Sequence, residues 1–122
     1  MRILVVDDDE DNLQVLALCL VVYLGWDVRA VTDGRQALEI CWSTELDMVV
    51  LDVEMPMMDG PQVLAALRAD PRTTSLPVVF VTASAEPVLD AWLQTLGALA
   101  VLAKPFDTGR IGDQLTGYLS RC

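Results

Sequence analysis

The sequence predicts a doubly wound α/β domain, and three observations carry that expectation. Short β-rich runs alternate with longer stretches of helical spacing along 122 residues. The runs beginning at Ile3, Met48 and Val78 are almost uniformly apolar, the mark of parallel strands covered on both faces. Five such runs are separated by segments long enough for crossover helices, which suits helices packed on both sides of a sheet. With 53% hydrophobic residues, a chain of this length closes one core, so one domain over 1–122 is expected.

Taken in order, the predicted strands are Ile3 to Val6, Asp27 to Val31, Met48 to Leu51, Val78 to Val81 and Leu99 to Leu102. Each intervening helix has a start signal. Asp11 or Asn12 is expected to cap the first, and Asp33-Gly34 precedes the second. Asp59-Gly60-Pro61 opens the third, Glu86-Pro87 the fourth, and Asp107-Thr108 caps the last, following the preference for short polar side chains at N-caps and proline in the first turn. Ala69 to Pro77, with two prolines and two threonines, reads as a surface loop. On the first helix the i, i+3, i+4 spacing predicts a buried face of Val15, Leu16, Cys19, Leu20 and Tyr23. Leu18, Val21 and Val22 then point outward, an apolar patch of the kind that marks a partner surface.

Composition excludes several classes. Eighteen acidic and eight basic residues give a formal charge of -10, which opposes direct binding to nucleic acid or anionic lipid. Cys19, Cys41 and Cys122 are odd in number and lack C-x-x-C spacing, so neither a disulfide framework nor a zinc site is expected. Cys19 and Cys41 read as core fillers. The most hydrophobic stretch, Val15 to Trp26, is 12 residues long and follows the acidic run Asp7 to Asp11. It fits neither a membrane span nor a signal peptide, and a cytoplasmic protein is the expectation.

Ligands of an open parallel sheet bind beyond the carboxyl ends of its strands, where strand order reverses. At those ends stand Asp7-Asp8, Asp52, Thr82-Ala83-Ser84 and Lys104-Pro105. Three carboxylates, a hydroxyl and an ammonium suit phosphoryl transfer to a carboxylate, with Asp52 as nucleophile. Crowded carboxylates raise one another's pKa unless a cation relieves them. Mg²⁺ is the expected ion, with Lys104 adding positive charge and Thr82 a donor against the phosphoryl oxygens. Singly, each residue has a plainer reading: Asp7-Asp8 as a cap region, Thr82 as a strand end, Lys104 as a solvated lysine. Their joint occurrence decides.

The segments Ile3-Leu4-Val5-Val6-Asp7-Asp8, Leu51 to Gly60, Val81-Thr82-Ala83 and Lys104-Pro105-Phe106 resemble, in order and spacing, the response-regulator receiver family over essentially the whole chain. The resemblance implies a flavodoxin-like sheet of order 2-1-3-4-5 and phosphorylation of Asp52 by a sensor histidine kinase or a histidine phosphotransfer protein. It implies Mg²⁺ held by Asp8 and Asp52 side chains, by the Glu54 backbone carbonyl and by Asp7 through water. Thr82 and Lys104 would contact the phosphoryl group, Pro105 would follow a cis bond, and Glu54 and Ser84 would tune hydrolysis. It further implies a switch with weak self-phosphorylation and self-dephosphorylation, and docking of the first helix on the donor. Cover of that helix by a neighbouring subunit, as in a homodimer, or by a further domain is the equal alternative. One departure stands out. The family usually has an aromatic ring three residues before the lysine, and here it is Val101, so a signal is expected to travel through the loop after Thr82 and the fourth helix around Trp92. Two alternatives are a phosphorylation-independent module on the same fold and a phosphatase of the haloacid-dehalogenase type. The latter wants an aspartate where Glu54 stands, a late acidic pair and a substrate-selecting cap.

Overall fold

The computed structural model describes every residue except 85, 106, 108, 121 and 122; Phe106 of the lysine motif, the Thr108 part of the last cap and Cys122 therefore lie outside the described residues. The strands are β1 (Arg2–Val6), β2 (Asp27–Val31), β3 (Met48–Asp52), β4 (Val78–Thr82) and β5 (Ala100–Ala103). The helices are α1 (Glu10–Leu24), α2 (Gly34–Ser43), α3 (Gly60–Ala69), α4 (Pro87–Thr95) and α5 (Ile111–Leu119). All strand pairs are parallel, in the order β2-β1-β3-β4-β5. Each predicted strand is present, shifted by a residue at some ends: β3 and β4 run on through Asp52 and Thr82, and β5 begins at Ala100.

β3 and β4 are buried at every position, so alternate residues feed two cores. Leu4, Val49, Leu51, Val78 and Phe80 face α2, α3 and α4. Ile3, Val5, Val50, Val79 and Val81 face α1 and α5. This two-sided demand is why these segments lack polar alternation.

Asp33 and Asp59 cap α2 and α3, as their positions predict. Two other caps differ. α1 is capped by Asp9, whose carboxylate accepts from the amides of Asp11 and Asn12, so the helix starts a few residues earlier than Asp11 or Asn12 would start it. Asp107 closes a turn ahead of α5, accepting the Gly109 amide on its side chain and the Arg110 and Ile111 amides on its carbonyl. The helix itself begins at Ile111 without a side-chain cap.

The buried face of α1 is Leu13, Leu16 and Leu20. Val15 is 52% exposed and Tyr23 77%, which corrects the predicted face by a rotation toward Leu13. Cys19 is half-buried, not a core residue, whereas Cys41 is buried, and burial pushes its thiol pKa up to about 12. A buried thiol of that kind stays protonated and inert. No helix among the described residues is long and apolar enough to cross a membrane.

Candidate functional site

Strand register delivers the site. Val6 pairs with Leu51, Asp52 with Val81 and Thr82 with Ala103, so Asp7, Asp52, Thr82 and Lys104 emerge at one level beyond the sheet's carboxyl edge. Strand order reverses between β1 and β3 there, with β2 on the other side of β1, the place where a parallel sheet opens a crevice.

Asp7 and Asp52 are each only 3% exposed. Asp7 accepts the Asp9 amide at 2.9 Å on one oxygen and meets the Lys104 ammonium at 2.8 Å with the other. Asp52 accepts the Glu54 amide at 3.2 Å and meets the same ammonium at 3.1 Å. The backbone of Lys104 is tied to β4 through its amide and the Thr82 carbonyl, 2.9 Å, and the Lys104–Pro105 bond is cis. Thr82 is fully buried, and its hydroxyl accepts the Ser84 amide at 3.1 Å. Asp8 is exposed, and one oxygen each of Asp7, Asp8 and Asp52 lie within 4.8 Å of one another.

Burial raises the Asp52 pKa to about 6, and the Asp7 charge adds to the rise while Lys104 opposes it. Burial works against the Lys104 ammonium, but its hydrogen bonds and charge contacts with Asp7 and Asp52 carry its pKa above the ordinary lysine value. The pocket thus holds three carboxylates against one ammonium. A hard divalent cation fits this donor set: the oxygens are close, two of the carboxylates are buried, and the negative charge exceeds what Lys104 can balance.

Glu54 is exposed beside the pocket. It lines a cavity of about 600 Å³ with Asp8, Met55, Pro56, Asp59 and Trp92. Ser84 is exposed just past Thr82. Val101 is not part of the pocket; it is half-buried against the core on the α2–α4 side. Leu18, Val21 and Val22 are exposed on α1, 63%, 45% and 64% respectively, and the first two line a separate cavity with Leu13, Ala17 and Val31. Sequence reasoning missed Asp9, which both orients Asp7 through its amide and caps α1. Its signal was present as the third aspartate of the Asp7–Asp9 run, where one turn of backbone must serve strand end and cap together.

The sequence model of the response regulator receiver domain matches residues 3–116. Transcriptional regulatory protein PrrA of Mycobacterium leprae is 36% identical over 120 residues, covering 98% of this chain and 50% of its own. Sporulation initiation phosphotransferase F of Bacillus subtilis is 32% identical over 118 residues, covering 97% of this chain and 93% of its own. Among solved structures, chemotaxis response regulator CheY4 of Vibrio cholerae superposes with a TM-score of 0.89 at 27% identity, over 96% of this chain and 97% of its own. The chain spans only 23% of a probable cyclic di-GMP phosphodiesterase of Vibrio cholerae and 22% of regulatory protein AtoC of Escherichia coli, to which it is 35% identical in each case. Sheet order, strand-end chemistry and sequence match agree, and the chain belongs to the response regulator receiver domain family, the phosphoacceptor domains of two-component signalling.

Proposed function

We propose that Asp52 is the phosphoacceptor, and that the chain is a single receiver domain over 1–122 acting in the cytoplasm. The observation that supports this most directly is the Lys104 ammonium held between buried Asp7 and Asp52 at the switch point of the sheet. In the transfer, a carboxylate oxygen of Asp52 attacks the phosphorus of a phosphohistidine. The P–N bond breaks, the histidine nitrogen takes the electron pair and an acyl phosphate forms. Receiver domains meet histidine kinases or histidine phosphotransfer proteins, and either would serve as donor here.

Lys104 is positioned to follow the charge as it moves from Asp52 onto the phosphoryl oxygens. Thr82 has a hydroxyl proton free to donate there while its oxygen keeps the Ser84 amide. Asp8 and Asp52 side chains and the Glu54 backbone carbonyl would hold Mg²⁺, with Asp7 acting through water. When bound, that ion would neutralise charge between the carboxylates and the phosphoryl oxygens. Glu54 and Ser84 flank the pocket and would set how readily water reaches the phosphorus, giving slow self-dephosphorylation, while small phosphodonors would permit self-phosphorylation.

The exposed patch Leu18, Val21 and Val22 is the surface we assign to the donor protein, with a second copy of the chain as the competing occupant. Replacing Leu18 and Val22 by aspartate should slow transfer from the kinase and leave transfer from acetyl phosphate unchanged; equal slowing of both defeats the assignment. The central test is incubation with acetyl phosphate and magnesium chloride followed by intact mass. One labile phosphate, absent in Asp52→Asn, is expected. Turnover of added phosphomonoesters would instead indicate a phosphatase, and no reaction would indicate an interaction module that works without phosphorylation.

A further inference from the structure

We propose that Trp92 is a positioning residue for the acceptor pocket: its indole is a movable wall that screens phosphorylated Asp52 from water. The inference rests on Asp52 being the phosphoacceptor and names a regulator of that same site.

Four observations carry it. Trp92 lines one cavity with Asp8, Glu54, Met55 and Pro56, so it stands across from two residues that flank Asp52, Asp8 in the carboxylate cluster and Glu54 two positions along the chain. It is also 49% exposed, which leaves apolar surface that closer packing over the pocket would bury. The helix that carries it is weakly held: of the nine residues of α4 only Leu93 is buried, and Glu86 provides no side-chain cap. Finally, the Asp90 carboxylate has an oxygen that is buried without a hydrogen-bond partner among the described residues. An arrangement that leaves such a group unpaired is one the helix leaves at low cost.

The link to the acceptor is short. Thr82 ends β4, and α4 begins at Pro87, so a Thr82 hydroxyl drawn toward a phosphoryl oxygen pulls on the start of this helix. A phosphoryl group adds nearly two negative charges and three acceptor oxygens at that point. Hydrolysis requires water to attack the phosphorus, breaking the P–O bond to Asp52 and releasing a free carboxylate and inorganic phosphate, with the proton of water passing to the phosphate or solvent. An indole closed over the cavity lowers the chance of that approach.

The test uses the whole chain labelled with 5-fluorotryptophan, which gives one fluorine resonance each for Trp26, Trp42 and Trp92, the last assigned with Trp92→Phe. Adding magnesium chloride and beryllofluoride should shift the Trp92 resonance and reduce its solvent exposure, leaving the Trp26 and Trp42 resonances in place. In parallel, after phosphorylation by acetyl phosphate and removal of the donor, Trp92→Ala should shorten the phosphate lifetime severalfold. Trp92→Phe, which keeps a flat apolar ring, should restore most of it. Bound beryllofluoride with an unmoved Trp92 resonance, or an unchanged lifetime in Trp92→Ala, overturns the proposal while leaving Asp52 as acceptor. Failure of Asp52 to take either group overturns both readings.

Discussion

α3 and α4 leave the same edge of the sheet on either side of β4, yet one is fixed and the other loosely held. α3 begins with a capping box in which Asp59 and Gln62 exchange side chain to backbone hydrogen bonds at 2.9 Å each way. It buries Val63, Leu64 and Leu67 completely, and Arg68 at its end donates to the carbonyls of Thr73 and Gly97. α4 has no side-chain cap and buries Leu93 alone. The lesson is a division of labour. The loop between β3 and α3, which carries Glu54 next to Asp52, is anchored on a rigid element, whereas the segment after Thr82 leads into one free to respond, as switching elements are drawn from the low-stability end of a fold.

The strongest way to break this contrast is to strike where α3 meets the strand that carries Asp52. Gly60 fits so closely that a Cβ would lie 2.5 Å from the Asp52 carbonyl oxygen and 2.7 Å from the Phe80 ring. Backbone and a fully buried ring cannot yield cheaply, so Gly60→Ala should cost about 3 kcal/mol by denaturant unfolding. It should also reduce phosphate uptake, because the displaced strand end is that of Asp52. A stable, fully active Gly60→Ala protein would show that the α3 side is less rigid than its contacts imply.

A smaller effect follows from holding Asp52 in place against its own charge. Its pKa stands at about 6 in the metal-free fold, above the ordinary carboxylate value near 4. A carboxyl group raised in this way costs nothing below both values, an increasing amount between about pH 4 and 6, and its full penalty above that window. Asparagine removes the charge and keeps an acceptor for Lys104. Asp52→Asn should therefore stabilise the metal-free protein by about 2 kcal/mol at pH 8, allowing for solvent screening, and by almost nothing at pH 4. Equal gains at both pH values would place the cause in packing, not charge.

The fold was legible because its informative residues answer to one demand each. Val49, Val50, Val79 and Phe80 must satisfy apolar neighbours on both faces, and nothing else competes, so their runs read directly as central strands. Asp52, Thr82 and Lys104 stand where such runs stop, and register alone brings them together. What was not legible answers to several demands at once. α1 is apolar nearly all round, so spacing could not tell that Leu13, Leu16 and Leu20 turn inward while Val15 and Tyr23 stay in solvent. Asp9 competes with four acidic neighbours for the cap, and its selection depends on where β1 releases the chain. The single lysine bridging two carboxylates was foreseeable as a convergence but not as a geometry, since it needs three strand ends at known heights.

The finest test of the contrast compares the two caps. Asp59→Ala removes a carboxylate that satisfies the Gln62 amide and also loosens the return bond from the Asp59 amide to the Gln62 side chain. It should cost about 1 kcal/mol. Glu86→Ala removes a side chain that caps nothing, and its effect on unfolding should fall within about 0.5 kcal/mol of zero, as for an ordinary surface change. Native-state hydrogen exchange separates local from global consequences. In the unsubstituted protein the amides of α4 should exchange faster than those of α3, because opening α4 exposes little beyond Leu93, whereas opening α3 exposes Val63, Leu64 and Leu67 together. Asp59→Ala should narrow that gap by weakening α3, and Glu86→Ala should leave it as it is. If α4 is instead as protected as α3, its sparse burial does not translate into mobility, and the movable wall proposed beside Asp52 loses its physical basis.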